Sequence, residues 1–158
     1  MADPLQTGAP APAFRLPRDG GSDLTLADYA GKALVLYFYP KDDTSGCTRQ
    51  ATDFNALIPA FRDAGAEILG ISPDSDRSHD AFKAKHKLEL TLGADETKAV
   101  CEAYGVWQEK SMYGRKYMGV ERTTVLIGPD GRVAEIWPKV SVKGHAEAVL
   151  AAVQSLPR

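Results

Sequence analysis

Tyr37-Phe-Tyr-Pro-Lys-Asp-Asp-Thr-Ser-Gly-Cys-Thr-Arg-Gln50 joins an apolar strand to a helix through a polar loop, with a cysteine where the helix begins. Ahead of the break at Pro40, Ala33 to Tyr39 is apolar at every position, the pattern of a strand covered on both faces as in a parallel sheet. Behind it, Cys47, Ala51, Phe54, Ile58 and Phe61 recur at steps of four, three, four and three, which puts them on one helix face. Pro59 interrupts this face and should kink or split the helix, because its ring removes an N–H bond. A thiol at a strand-to-helix junction sits where unpaired N–H groups and the positive end of the helix dipole favour the thiolate.

Outward from this stretch the chain supplies the rest of a sheet. Residues 1–12 read as a flexible lead-in, with Pro4, Pro10 and Pro12 discouraging helix. Phe14 to Leu16 and Leu24 to Leu26 suggest an edge hairpin, and Asp28 to Lys32 a single helical turn closing at Gly31. Glu67 to Ser72 reads as the next buried strand, and Ser75 or Asp76 can cap a helix to about Lys87. Thr91 to Ala94 is a short strand, and Asp95 or Thr97 caps a short helix carrying Val100, Cys101 and Tyr104. Gln108 to Gly119 reads as a long basic loop. Thr123 to Ile127 and Arg132 to Trp137 form a hairpin about Gly128-Pro-Asp-Gly131, and Val142, Ala146, Val149, Val153 and Leu156 share one face of a last helix. Parallel βαβ units, an antiparallel pair and a terminal helix predict an α/β chain: one domain over 1–158, with a mixed central sheet, helices on both faces and an N-terminal hairpin extension.

The chain's 158 residues suffice for one well-buried core, and a net charge of −2 leaves no electrostatic footprint for nucleic acid or anionic lipid. The longest apolar run is far too short to span a bilayer. Neither a signal peptide nor a disulfide framework is visible, so a reducing cytoplasm is the expected compartment and each of the two thiols needs its own explanation. No ligand spacing suggests a metal, and no cofactor is expected. His79, His86 and His145 read as solvated residues on charged helix faces, Asp42 and Asp43 as a solvated loop pair, and Trp107 and Trp137 as core or rim packing.

Cys47 need not be reactive, since free cysteines are usually buried and inert. Its position favours reactivity. Turning a thiol mostly into thiolate at neutral pH takes roughly 3 kcal/mol, of which a helix terminus supplies about 1, so a fixed cation is also wanted. Arg122, at the start of a core strand, is the candidate.

Pro40-x-x-x-Thr44-x-x-Cys47 resembles the active-site signature of the peroxiredoxins. With Tyr37 to Thr48 and Lys110 to Arg122, the wider match is similar to the bacterioferritin comigratory protein (peroxiredoxin Q) subfamily over nearly the whole chain. The resemblance implies a thioredoxin fold and thiol-dependent reduction of hydrogen peroxide and organic hydroperoxides. It implies Cys47 as peroxidatic thiol, Arg122 as activating cation, Thr44 as the hydroxyl that orients the peroxide, and Pro40 as a shield against water. Attack on a peroxide oxygen would leave a sulfenic acid at Cys47, which a second thiol must resolve. Many relatives carry Pro at the position of Ser45 and a resolving cysteine at that of Thr52, or one in the next helix near Phe82 to Lys85; this chain has neither cysteine. Cys101 remains, either as a small core residue or as a resolving thiol. If it is structural, thioredoxin or another outside thiol must reduce Cys47. Three classes stay open: a monomeric or weakly associating thiol peroxidase, a peroxide sensor passing oxidation to a partner by mixed disulfide, and a non-catalytic thioredoxin-fold binding module.

Overall fold

Strict alternation along β3 (Ala33–Phe38) divides the interior in two. Ala33, Val35 and Tyr37, with Tyr39 beyond the strand, face one apolar cluster, while Leu34, Leu36 and Phe38 face another. In the computed structural model, which describes residues 5–157, β3 is the middle of a five-stranded sheet ordered β5-β4-β3-β8-β9. The strands β4 (Ala66–Ser72) and β5 (Thr91–Ala94) run parallel to β3, whereas β8 (Thr123–Ile127) is antiparallel to it and β9 (Val133–Trp137) antiparallel to β8. The first cluster is closed by α1 (Ser45–Ala56), α2 (Ile58–Asp63), Phe82 of α3 (Asp76–His86) and α5 (His145–Gln154). The second is closed by the hairpin β1 (Arg15–Pro17) and β2 (Asp23–Thr25) and by α4 (Ala99–Ala103). This is the thioredoxin-like fold with its N-terminal extension.

Pro59 divides the expected single helix. Leu57 separates α1 from α2, Pro59 takes an early position in α2 where a missing N–H costs nothing, and Ile58 and Phe61 still reach the same core. Three readings change. Of the expected lead-in, residues 1–4 lie outside the described residues, and Gly8 to Ala11 are not loose. Gly8 N–H donates to the Val133 carbonyl at 2.8 Å, Val133 N–H to Ala9 at 2.9 Å and Ala11 N–H to Gly131 at 2.9 Å, so this segment lies along β9. The expected loop at 108–119 is a hairpin, β6 (Trp107–Met112) and β7 (Arg115–Val120), turning at Tyr113 and Gly114, both with positive φ. Both of its faces are largely solvated, so the apolar alternation that reveals a strand is missing; Met112, Tyr113, Tyr117 and Met118 are all exposed. The last helix starts at His145 rather than near Val142, with Gly144 in the left-handed region ahead of it.

Candidate active site

Thr44 is the N-cap of α1, and Cys47 is the third residue of its first turn. The N–H groups of Ser45, Gly46 and Cys47 therefore have no acceptor within the helix and are available to an anion. Thr44 does not compete for them: its hydroxyl donates instead to the Lys41 carbonyl at 3.3 Å. Cys47 is 2% exposed and heads the buried face that continues through Ala51 and Phe54.

Arg122 reaches this turn from just before β8. Because β8 lies beside β3, the residue ahead of Thr123 emerges at the end of the sheet where β3 releases the chain toward α1. Its Nη2 donates to Cys47 Sγ at 3.2 Å, so a fixed cation touches the sulfur across 75 positions of sequence. Nη1 donates to Gln50 Oε1, and the Arg122 carbonyl accepts Val140 N–H at 2.8 Å. Gly46 leaves room for the guanidinium: a Cβ there would sit 3.4 Å from Nη2. Pro40 and Thr44 are exposed at the mouth of the loop.

Gln50 is a site residue that the sequence reading passed over. It is buried, and its Nε2 has no hydrogen-bond partner among the described residues. Its only signal was spacing, three residues after Cys47 on the same helix face.

Charged residues read as solvated prove otherwise. Asp42 and His79 are buried, with Asp42 Oδ2 2.8 Å from His79 Nδ1. Burial alone would lower the His79 pKa, but the Asp42 hydrogen bond and charge, with the Gly93 carbonyl, raise it above the ordinary value. His145 is also buried, its Nε2 2.8 Å from Thr124 Oγ1; burial and the charge of Arg122 lower its pKa. Only Asp43 and His86 keep a partly solvated pairing, at 2.7 Å, joined by Lys85 at 2.6 Å from the same carboxylate.

Cys101 lies on the other side of the sheet. It is fully buried in the cluster under α4, while Cys47 belongs to the cluster under α1. Burial, then the Asp95 carboxylate, pushes its thiol well above the ordinary range. The cap position of α4 is Lys98 rather than Asp95 or Thr97, but Asp95 accepts the first-turn N–H groups of Val100 at 3.2 Å and of Cys101 at 2.8 Å.

Comparison with known proteins gives the family and the fold. The AhpC/TSA family profile matches residues 7–136. The peroxiredoxin Bcp of Xanthomonas campestris is 51% identical over 148 residues, covering 92% of each chain. A structure of peroxiredoxin Q from Xylella fastidiosa superposes with a TM-score of 0.92 at 40% identity, covering 98% of both chains. A structure bearing on the alkyl peroxide reduction activity of X. campestris bacterioferritin comigratory protein gives a TM-score of 0.89 at 47% identity, covering 95% of this chain and 98% of that one. With the profile matched over residues 7–136 and more than nine-tenths of its length shared with these relatives, the chain belongs to the AhpC/TSA family, within its peroxiredoxin Bcp (peroxiredoxin Q) group.

Proposed function

We propose that the thiol peroxidase chemistry of this family runs in this chain through Cys47, with Arg122, Thr44 and Pro40 around it. The observation that carries the reading is the 3.2 Å contact between Arg122 Nη2 and Cys47 Sγ at the start of α1. The thiolate attacks one oxygen of hydrogen peroxide or an organic hydroperoxide, the O–O bond breaks, and water or an alcohol leaves after taking a proton from solvent. The cation and the N–H groups of the first turn stabilise the charge that builds on the departing oxygen. Thr44, whose proton goes to Lys41, can accept a hydrogen bond from the peroxide O–H and so orient it. Pro40, exposed at the mouth of the loop, turns the chain and would shield the rim of the site from water.

The sulfenic acid at Cys47 then condenses with an external thiol, releasing water and forming a mixed disulfide, and a second thiol reduces that bond. Cys101 is a core residue in this scheme. Its place on the opposite face of the sheet, with a thiol held protonated, argues against resolution within the chain. The donor is thioredoxin or another thiol. Because Cys47 is 2% exposed, reaction with a bulky donor requires the first turn of α1 to open. The chain is taken to act as a monomer, and two free cysteines suit a reducing, cytoplasmic setting; no helix among the described residues is long and apolar enough to cross a membrane.

The test is oxidation with one equivalent of peroxide, followed by mass spectrometry, alongside steady-state turnover with a thioredoxin system. Cys47→Ser should lose turnover and Cys101→Ser should keep it within about twofold. A Cys47–Cys101 disulfide in the oxidised wild type would overturn the one-cysteine scheme.

A further inference from the structure

The loop that delivers the chain to Cys47 is held by a buried ion pair with no direct part in the chemistry. Asp42 lies midway between Pro40 and Thr44. Its carboxylate accepts from Tyr39 Oη at 2.6 Å, Ser78 Oγ at 2.8 Å and His79 Nδ1 at 2.8 Å. Its N–H donates to Asp74 Oδ2 at 2.8 Å, and the same oxygen accepts Ser72 Oγ at 2.6 Å. On its far side, His79 Nε2 stands 2.8 Å from the Gly93 carbonyl in β5. The loop is thereby tied to the ends of β3 and β4, to α3 and to β5.

The partners of His79 settle its charge. A carboxylate and a backbone carbonyl are both acceptors, so each ring nitrogen must carry a proton. A neutral ring would point a lone pair at one of them inside a site closed to water. Tyr39 Oη lies 3.4 Å from Nδ1, but its proton goes to the nearer Asp42. The groups facing the ring are thus Asp42 and Tyr39 from the β3 side, Asp74 from the segment after β4, and the Gly93 carbonyl.

We propose that the His79–Asp42 ion pair is the positioning element of the peroxide site, fixing the backbone from Tyr39 to Thr44 so that Thr44 and the first-turn N–H groups meet the peroxide oxygens. This rests on the reading of Cys47 as the attacking thiol. The pair does not hold Arg122, which comes from the β8 side and is fixed by Gln50 and Val140. Two properties of the site therefore separate. The cation at the sulfur comes from Arg122, whereas peroxide alignment depends on the loop.

The experiment compares two rates at Cys47 in wild type, His79→Phe and His79→Gln: oxidation by hydrogen peroxide and alkylation by iodoacetamide. Iodoacetamide needs the thiolate but not the peroxide geometry. Folded His79 variants should lose ~10- to 100-fold in the peroxide rate, while alkylation stays within about threefold. A peroxide rate within about twofold of wild type, or an equal fall in both rates, overturns the proposal. In the wild type, nitrogen NMR of the ring at pH 7.5 should show a doubly protonated His79; a neutral tautomer pattern overturns it even if the variants fail to fold. Cys47→Ser, run in parallel, separates this idea from its foundation. Peroxide consumption that survives there overturns the Cys47 reading and this proposal together, whereas its loss beside an unaffected His79→Phe overturns this proposal alone.

Discussion

Arg122 has two tasks for one guanidinium, donating to Cys47 Sγ through Nη2 and to Gln50 through Nη1. A planar fork can do both at once, and a lysine ammonium cannot hold the same two directions. Arg122→Lys should therefore slow the reaction of Cys47 with peroxide ~100-fold or more, the scale on which one oxyanion donor counts. Gln50→Leu keeps the cation but frees its other arm, so the loss should be smaller, about three- to tenfold. Stopped-flow oxidation of each variant, with circular dichroism as the folding control, measures both; an Arg122→Lys enzyme as fast as wild type would remove the guanidinium from the scheme. Gln50 was legible only as a polar residue on an otherwise apolar helix face. Asp42 and His79 were not legible at all, because a charged residue within a buried network looks, in one sequence, like one facing water.

At the scale of elements, contact between the central strands and their coverings depends on two glycines. A Cβ at Gly70 in β4 would lie 2.6 Å from Tyr37 Cζ and 2.7 Å from its Oη. Tyr37 stacks on Phe54 of α1 with ring centroids 4.8 Å apart, and on Tyr39 at 5.5 Å. Gly70→Ala must therefore push Tyr37 into the helix that carries Cys47. It should destabilise the fold by about 1–3 kcal/mol and slow peroxide reduction as well. On the opposite face, a Cβ at Gly93 would lie 2.7 Å from Leu16 Cδ1, lifting β1 from β5. Gly93→Ala should cost a similar ~1–3 kcal/mol by displacing this hairpin. Denaturant unfolding of both variants measures this; a loss under ~0.5 kcal/mol at either glycine would contradict the close contact there. Most elements could be read from the sequence because their periodicity is local. The hairpin at 107–120 could not, since a ribbon wet on both faces carries no apolar alternation.

Across the whole molecule, Asp19, His145 and His79 are among the groups that link stability to pH. Burial would raise the pKa of Asp19, yet the Leu92 N–H and the Lys83 ion pair hold it below the ordinary value, so its contribution is present above pH ~4 and lost as acid protonates it. His145 is held neutral by burial and Arg122, so its contribution is present above ~6.5 and lost as pH falls on through the lower folded value. His79 has the opposite sign. Its raised pKa makes the contribution fully present below ~6.5 and lost as pH climbs through the higher folded value. Melting temperature against pH should thus show an acid fall that flattens in His145→Gln and an alkaline fall that flattens in His79→Gln. An unchanged profile in either variant would contradict the corresponding linkage.

By itself, the sequence determined what depends on neighbours along the chain. The two-faced strand at 33–38, the helix face from Cys47 to Phe61, the division at Pro59 and a thiol at a helix start all follow from residue spacing and backbone geometry. Only the tertiary structure decided what depends on strand order. Setting β8 beside β3 brings Arg122 to Cys47, and placing α1 and α4 on opposite faces of one sheet keeps the two cysteines apart. The burial of Asp42 and His79 likewise depends on where β5 and α3 come to rest. The physical reason is that spacing along a chain dictates which face a side chain takes, whereas its partners across the sheet are selected by packing the whole core.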